Sequence, residues 1–211
     1  MNLSLSDIVY TPLDLPKLIV DRDVICNYYD ERKTVADNDF LEKVNYPWWV
    51  VHIRPDWIKP KKNEIHGSGW DEDFRTLFPN VVDVVESLPF SFINRVYLLE
   101  QLKEVPPHKD ISKETDPTLG PSTFRCPIVH EDPENTFYFI RDGHDEELYP
   151  RLPDETNWFS MSNYTAKHGS HIPSQGKRKL MMCVWGKVDV EKYKNLINRS
   201  VNRYSEYVIY T

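Results

Sequence analysis

Apolar side chains recur at helical intervals in three stretches of the chain. The clearest repeat, in steps of three or four residues, predicts a helix over residues 71–88 with Asp71 as its N-cap. A weaker pattern predicts a helix over 18–29, and a third repeat predicts one over 190–204. The apolar positions of the clearest repeat are Phe74, Leu77, Phe78, Val81, Val82, Val85 and Leu88.

Short apolar segments separated by proline and polar residues dominate the second half, and they indicate strands. Candidate strands cover residues 93–101, 123–129, 136–141, 157–162 and 179–185, and an earlier aromatic one covers 46–53. The polar turn at 131–135 predicts a hairpin joining 123–129 to 136–141. Short strands at these intervals predict a mainly β fold with flanking helices, a double-stranded β-helix of the jelly-roll or cupin-like kind.

Composition and charge exclude several classes of function. The 211 residues are 40% hydrophobic and 28% charged, which excludes a disordered chain. The net charge of −7 and the lack of a long basic stripe argue against nucleic acid as the main partner. No apolar run approaches the roughly 20 residues of a bilayer-spanning helix, and the N-terminus lacks a signal-peptide pattern, so we expect no membrane and a cytoplasmic protein.

Histidine is the residue type that points to chemistry. Two of the seven histidines are followed two residues later by aspartate, in the pairs His108 with Asp110 and His130 with Asp132. Residues two apart on an extended chain point the same way, so each pair could bind one metal ion. A second histidine from a later strand would complete the two-nitrogen, one-oxygen set of non-haem Fe(II) oxygenases. The predicted turn disfavours the second pair, whereas His108 ends an apolar strand region before a long polar loop.

The stretch around His108 resembles a known family. Residues 96–102 (Val-Tyr-Leu-Leu-Glu-Gln-Leu) and 105–110 (Val-Pro-Pro-His-Lys-Asp) resemble the aspartyl/asparaginyl β-hydroxylase-like branch of the 2-oxoglutarate/Fe(II) oxygenases. Residues 122–129 resemble the arginine-bearing strand of that branch, with proline at 127 where relatives often have histidine. Residues 158–163, followed by His168-Gly169, resemble the segment that carries the second metal histidine, and Arg178 follows ten residues after it. The resemblance covers roughly residues 93–186, and residues 1–90 show none.

The resemblance implies a set of site residues. His108, Asp110 and His168 would bind Fe(II), and Arg178 would pair with the distal carboxylate of the co-substrate 2-oxoglutarate. Tyr97 would donate its hydroxyl to the same carboxylate. Arg125 resembles the second arginine of the family and would touch co-substrate or substrate.

Two points about these residues stay open at the level of sequence. His171 competes with His168 as the later metal ligand, because it stands seven rather than ten residues before Arg178. Arg178 shares one strand face with Leu180, Met182 and Val184. We expect that face to point inward, with Lys177 and Lys179 pointing away.

The expected organisation is a single domain over residues 1–211. A mixed helical and strand flank covers 1–90, the jelly-roll catalytic core 91–186, and a C-terminal helix and tail 187–211. The resemblance implies a dioxygenase that uses Fe(II), 2-oxoglutarate and O2 to hydroxylate an unactivated C–H bond. The expected partner is an Asp, Asn or Pro side chain in a peptide, a protein or a free amino acid. The alternatives are a non-catalytic jelly-roll binding module and a cupin-type metalloenzyme that does not use 2-oxoglutarate.

Overall fold

Two antiparallel sheets form the body of the protein. The computed structural model describes residues 4–35, 47–54, 69–110, 123–132, 137–162 and 164–211. Within these ranges one sheet has nine strands, in the order β13-β1-β10-β7-β12-β5-β3-β2 with β4 on β3, and the other has four, in the order β6-β11-β8-β9. The strands are β1 (Ile8–Pro12), β2 (Thr34–Val35), β3 (Pro47–Ile53), β4 (Gly69–Trp70), β5 (Phe90–Glu100), β6 (Val105–His108), β7 (Thr123–His130), β8 (Phe137–Arg141), β9 (Glu147–Leu148), β10 (Phe159–Met161), β11 (Ala166–Ser170), β12 (Lys179–Val188) and β13 (Ile209–Tyr210).

The path of the chain from β5 to β12 is that of a double-stranded β-helix. The chain crosses from one sheet to the other after β5, β6, β7, β9, β10 and β11, so most consecutive strands face each other instead of pairing. The predicted mainly β jelly roll with flanking helices is therefore confirmed. The predicted hairpin between β7 and β8 is wrong, because β7 belongs to the nine-stranded sheet and β8 to the four-stranded one.

Four helices flank the sheets in the described residues. The predicted helix over 71–88 is two helices, because Phe78 leaves the helical conformation (φ −129°, ψ 52°) and Pro79 begins a new helix. The side chain of Asp71 caps the first of them by accepting a hydrogen bond from the Phe74 N–H (2.8 Å). The helices are α1 (Arg22–Asp30), α2 (Glu72–Leu77), α3 (Pro79–Glu86) and α4 (Val190–Arg203), and short 3-10 helices span Leu5–Asp7 and Ser205–Tyr207.

The nine-stranded sheet is buried on both faces. Leu180, Met182 and Val184 of β12 pack beneath the helices. Met181 and Cys183 of the same strand point between the two sheets. Side chains alternate along a strand, so the odd-numbered positions of this part of β12 face the interior of the jelly roll. This alternation decides which polar residues can reach a site between the sheets.

The described part of the first 90 residues both extends the large sheet and supplies three of the helices that cover one of its faces. Strand β1 pairs with β10 and β13 at one edge, and β3 pairs with β5 toward the other. None of the helices in the described ranges combines the length and apolar character that a membrane crossing requires.

Candidate metal centre

The two histidines predicted as ligands lie directly opposite each other on neighbouring strands. β6 pairs antiparallel with β11, and in this pairing His108 stands across from His168. Opposite residues of an antiparallel pair point to the same side of the sheet, and the two ring centroids are 4.4 Å apart. Strand pairing therefore brings together two imidazoles that are distant in sequence.

Asp110 completes a triad with these histidines. Its two carboxylate oxygens lie 3.4 Å from His108 Nε2 and 3.6 Å from His168 Nε2. One ligand atom from each residue falls within 4.8 Å of the others. In the part of the chain that the structure describes, this is the one group of three or more His, Cys, Asp or Glu side chains with such spacing. His168 is buried, and the other two side chains are partly exposed.

The orientation of His108 suits metal binding. Its Nδ1–H donates a hydrogen bond to the Pro106 carbonyl at 2.9 Å, two residues earlier on the same strand. A histidine whose Nδ1 is protonated in this way carries its lone pair on Nε2. Nε2 is the atom that faces Asp110. The strand backbone thus holds both the ring orientation and the tautomer that a ligand needs.

The electrostatics keep two of the three groups in their metal-binding forms. Burial lowers the pKa of His168 to about 4, so the imidazole is neutral at pH 7. Burial alone would raise the pKa of Asp110, but His108, His168 and Arg125 together bring it below its usual value. The hydrogen bond to Asp110 raises the pKa of His108, and a metal ion would take the place of that proton. Two imidazole nitrogens and one carboxylate form the donor set of a facial Fe(II) site, so these residues fit that metal.

Gly169 permits the close approach of the two strands that carry the ligands. A Cβ at this position would lie 2.8 Å from the carbonyl oxygen of Val105 in β6, and it would also collide with the Tyr138 ring. The pairing shifts by one residue between His168 and Ser170, next to this contact. A glycine beside the second histidine is therefore a steric requirement of the site.

Arg125 and Tyr97 lie on the interior face of the large sheet, as a co-substrate site would require. Arg125 stands opposite Cys183, which stands opposite Tyr97, so the three side chains form a row across β7, β12 and β5. Arg125 is 7% exposed, and its Nη1 has no hydrogen-bond partner among the described residues. Burial opposes its charge, but Cys183, Tyr97 and Asp110 outweigh this effect and raise the pKa of Arg125. Burial raises the pKa of Tyr97 to about 12, so its hydroxyl is protonated.

Arg178 lies on the other face, which corrects the expectation that it points inward. It shares a face with Leu180 and Met182, as the strand phase predicted, but that face is the one covered by the helices. Its guanidinium pairs with Asp30 of α1 (Nη2 to Oδ1, 2.6 Å) and with Glu100 of β5 (Nε to Oε1, 2.6 Å). The structure therefore does not bring Arg178 to the triad.

The inward cation at this end of β12 is Lys179, which the sequence interpretation had pointing away. Lys179 is 3% exposed, and its ammonium lies 3.2 Å from Ser170 Oγ of β11. The sequence interpretation also missed Arg95, whose guanidinium lies 4.9 Å from the ring centroid of Tyr97. Strand alternation could have identified it, because a residue two positions before Tyr97 on the same strand points to the same face.

The competing histidines lie apart from the triad. His171 packs against Tyr138, with ring centroids 4.8 Å apart, and its Nε2 is 3.0 Å from Glu147 Oε2. His130 ends β7 opposite Lys179. Of the alternatives left open by the sequence, the structure brings His168 to His108 and not His171.

Comparisons with known proteins show two distant likenesses among solved structures. No protein-family model matches the chain, and no curated protein matches it. Among solved structures, the fold is similar to an oxidoreductase of the 2OG-Fe(II) oxygenase family from Burkholderia pseudomallei, at 10% identity and a TM-score of 0.38, over 76% of this chain and 75% of that one. It is also similar to AviO1 from Streptomyces viridochromogenes Tue57, at 15% identity and a TM-score of 0.40, over 85% and 90% of the two chains. Structural similarity at this level does not assign a function. Any functional assignment must therefore rest on the side chains of the site.

Proposed function

We propose that this protein is a 2-oxoglutarate- and Fe(II)-dependent dioxygenase that hydroxylates an unactivated C–H bond. The observation that carries the proposal is the convergence of His108, Asp110 and His168 between the sheets of a jelly roll. The motif at residues 105–110 favours the aspartyl/asparaginyl β-hydroxylase-like branch. By that resemblance the substrate is an Asp, Asn or Pro side chain in a peptide, a protein or a free amino acid. The cytoplasm is the proposed location.

The proposed roles follow from the positions of the side chains. His108 and His168 would bind Fe(II) through Nε2, and Asp110 through one carboxylate oxygen. Three ligands on one face leave coordination positions open, and bound Fe(II) with 2-oxoglutarate would supply the activation of O2 at those positions. The protein holds the ligands in place by strand pairing and keeps the His168 side of the site dry, since that residue is buried.

Arg125 takes the role of anchor for a carboxylate of 2-oxoglutarate in this proposal. It is buried, it lies close enough to Asp110 to lower the pKa of that carboxyl, and its Nη1 has no partner within the described ranges. A guanidinium presents a planar fork that matches a carboxylate with two hydrogen bonds. Tyr97, in the same row of side chains, would donate its protonated hydroxyl. Arg178 is not proposed for this role, because Asp30 and Glu100 already neutralise it.

The metal centre is tested by titrating Fe(II) into the protein without oxygen. We expect one ion per chain and a loss of affinity in Asp110→Ala greater than the roughly 10–100-fold that removal of a supporting partner costs. Asp132→Ala is the matched control, because it changes the other His-x-Asp pair. Equal Fe(II) affinity in wild type and Asp110→Ala would refute the centre.

The use of 2-oxoglutarate is tested separately, by its binding to the metal-loaded protein and by its conversion to succinate. Arg125→Met should weaken 2-oxoglutarate binding by roughly a hundredfold or more, since unpairing a buried charge costs about 3–5 kcal/mol. Arg178→Met should leave that affinity unchanged. Metal binding without 2-oxoglutarate consumption would favour the cupin-type metalloenzyme, and absence of metal binding the non-catalytic module.

A further inference from the structure

The proposed metal ligands and the proposed co-substrate groups lie on different sheets. His108 and His168 belong to β6 and β11 of the four-stranded sheet, and Asp110 follows His108. Arg125 and Tyr97 belong to β7 and β5 of the nine-stranded sheet. A co-substrate that binds the metal and is also held by Arg125 must therefore span the space between the two sheets. The width of that space determines which length of co-substrate fits.

Strand pairing does not fix the distance between the sheets. It sets the positions of residues within one sheet, whereas two sheets are held about 10 Å apart by the side chains packed between them. An apolar cluster lies between these sheets, in which Phe139 of the smaller sheet joins Phe159 and Met181 of the larger one. Apolar packing is non-directional, so it permits the sheets to shift by small amounts. A directional hydrogen bond between the sheets limits that freedom.

Gln101 makes such a contact, because its side chain reaches from the larger sheet to the smaller one. The residue directly follows β5, where its backbone N–H donates to the Lys179 carbonyl of β12 at 3.1 Å, and it is 6% exposed. Its Oε1 accepts a hydrogen bond from the Ser170 hydroxyl at 2.6 Å, and its Nε2 donates to the His171 carbonyl at 2.5 Å. One side-chain amide thus bonds the larger sheet to the end of β11 through both of its polar atoms.

The contact meets β11 close to the second metal histidine. Ser170 is two residues after His168 on the same strand, so the two side chains point to the same face, and both are buried. The Ser170 oxygen also accepts a hydrogen bond from Lys179 Nζ of β12 at 3.2 Å, which gives the serine a second contact with the larger sheet. The hydrogen bonds at Ser170 therefore hold His168 at a set distance from the sheet that carries Arg125.

We propose that Gln101 is a positioning residue that selects the length of the co-substrate by fixing the gap between the sheets beside the metal centre. This inference rests on the proposed function, because it concerns the 2-oxoglutarate of that reaction. In this role Gln101 acts through Ser170 and the His171 carbonyl, and it binds neither the metal nor the co-substrate. Without its hydrogen bonds the separation of the sheets can change, and a longer 2-oxo diacid should then compete better.

The first test compares two co-substrates of different length on the Fe(II)-loaded protein without oxygen. 2-Oxoadipate has the same two ends as 2-oxoglutarate and one more methylene group between them. A pocket of fixed size distinguishes one methylene group by roughly tenfold or more. By titration calorimetry we expect Gln101→Met to bind 2-oxoglutarate about two- to tenfold more weakly, as loss of one hydrogen bond implies. Its preference for 2-oxoglutarate over 2-oxoadipate should fall by at least about threefold.

Fe(II) affinity is the readout that separates this role from a general loss of structure. The three metal ligands lie on β6, on β11 and directly after β6, so their mutual positions depend on strand pairing within one sheet. Gln101→Met should therefore keep the wild-type Fe(II) affinity. Asp71→Ala is the matched control for stability, since it removes a buried hydrogen bond from the Phe74 N–H at the cap of α2. The control should keep its affinity for both co-substrates.

Ser170→Ala provides a second variant and a double-mutant cycle. It removes the hydroxyl that bonds Gln101 and leaves the glutamine in place, so it tests the same contact if Gln101→Met does not fold. The double variant should lose less 2-oxoglutarate affinity than the sum of the two single losses, because both changes break the same hydrogen bond. Full additivity of the two losses contradicts the proposal.

The outcomes distinguish this inference from the proposed function. If the wild type binds Fe(II) but not 2-oxoglutarate, the proposed function fails and this inference fails with it. If the wild type binds 2-oxoglutarate and Gln101→Met retains both that affinity and the preference over 2-oxoadipate, only this inference is overturned. It is also overturned if Gln101→Met loses as much Fe(II) affinity as 2-oxoglutarate affinity.

Discussion

Replacing Gly169 with alanine should damage the metal centre without touching a ligand. The added Cβ would lie 2.8 Å from the Val105 carbonyl oxygen, about 0.6 Å inside the 3.4 Å at which ordinary contact begins. The Tyr138 side chain, which the Cβ would also meet, is 1% exposed and has little room to move. Because the Val105 oxygen belongs to the backbone of β6, the strand itself must move away from β11.

The size of that movement sets the expected effect on metal affinity. Functional sites require their groups within about 0.5 Å of the productive geometry, so a shift of about 0.6 Å between the strands of His108 and His168 exceeds the tolerance. We expect Fe(II) affinity to fall at least about tenfold, as it does when a partner that orients a metal ligand is lost. The overpacking should also cost about 1–3 kcal/mol of stability toward unfolding.

The assay pairs urea unfolding with oxygen-free Fe(II) titration of the folded protein. Gly186→Ala is the matched control, because a Cβ there would collide with the Phe92 carbonyl oxygen, at a place where β12 pairs with β5 and not with the metal strands. The control should lose comparable stability and keep its metal affinity. If Gly169→Ala binds Fe(II) as tightly as wild type, the close approach at Val105 does not set the metal geometry.

Three further predictions concern groups outside the triad. Arg178→Met should lower the free energy of unfolding by about 1.5–3 kcal/mol in urea titrations, because the buried Glu100 carboxylate loses the guanidinium at 2.6 Å and keeps the longer contact with Lys33 Nζ at 3.6 Å. The hydrogen bond from Arg178 lowers the pKa of Asp30 to about 2 from 3.8, so the stability it contributes is complete above pH 4 and is lost as the pH falls toward 2. Wild-type urea midpoints should therefore fall more steeply than those of Arg178→Met between pH 4 and 2, by a small amount since Asp30 is 41% exposed. His171→Ala should keep wild-type Fe(II) affinity in the same titration that detects the loss in His168→Ala, because His171 binds Glu147 instead.

The clustering of His108, Asp110 and His168 could be predicted from the sequence in two ways. His108 and Asp110 carry a local signal, since they stand two apart at the end of a strand, whereas His168 was chosen over His171 by the family resemblance. The glycine after His168 stands where the close approach of β6 requires one. The face on which Arg178 lies could not be predicted. Alternation tells which residues share a face, but residues 180–184 of β12 are apolar at every position, since both faces of the sheet are buried. The pattern of apolar residues therefore does not indicate which face of β12 points between the sheets. In the structure Lys179, and not Arg178, is on that inner face.

The errors in secondary structure have the same kind of cause. The repeat over residues 71–88 continues across the break between α2 and α3, because both helices bury their apolar residues against the same sheet. Pro79 is the only local sign of the break. The hairpin was expected because adjacent strands usually pair, whereas a jelly roll sends the strand after β7 to the opposite sheet. Long-range pairing decides such cases, and it has no signature in a window of ten residues.

The position of the metal centre depends on pairing register more than on any single side chain. A slip of one residue between β6 and β11 would turn one of the two imidazoles to the outer face of the sheet. The contact at Gly169 and the shift in pairing beside it oppose such a slip, because they fix how closely and where the strands meet. Arg125 is held in the same way by Cys183 on one side and Phe159 on the other, within the large sheet. Substitutions in the helices should therefore lower stability while the folded protein keeps its metal affinity, whereas changes in the β6–β11 pairing should lower metal affinity even in molecules that remain folded.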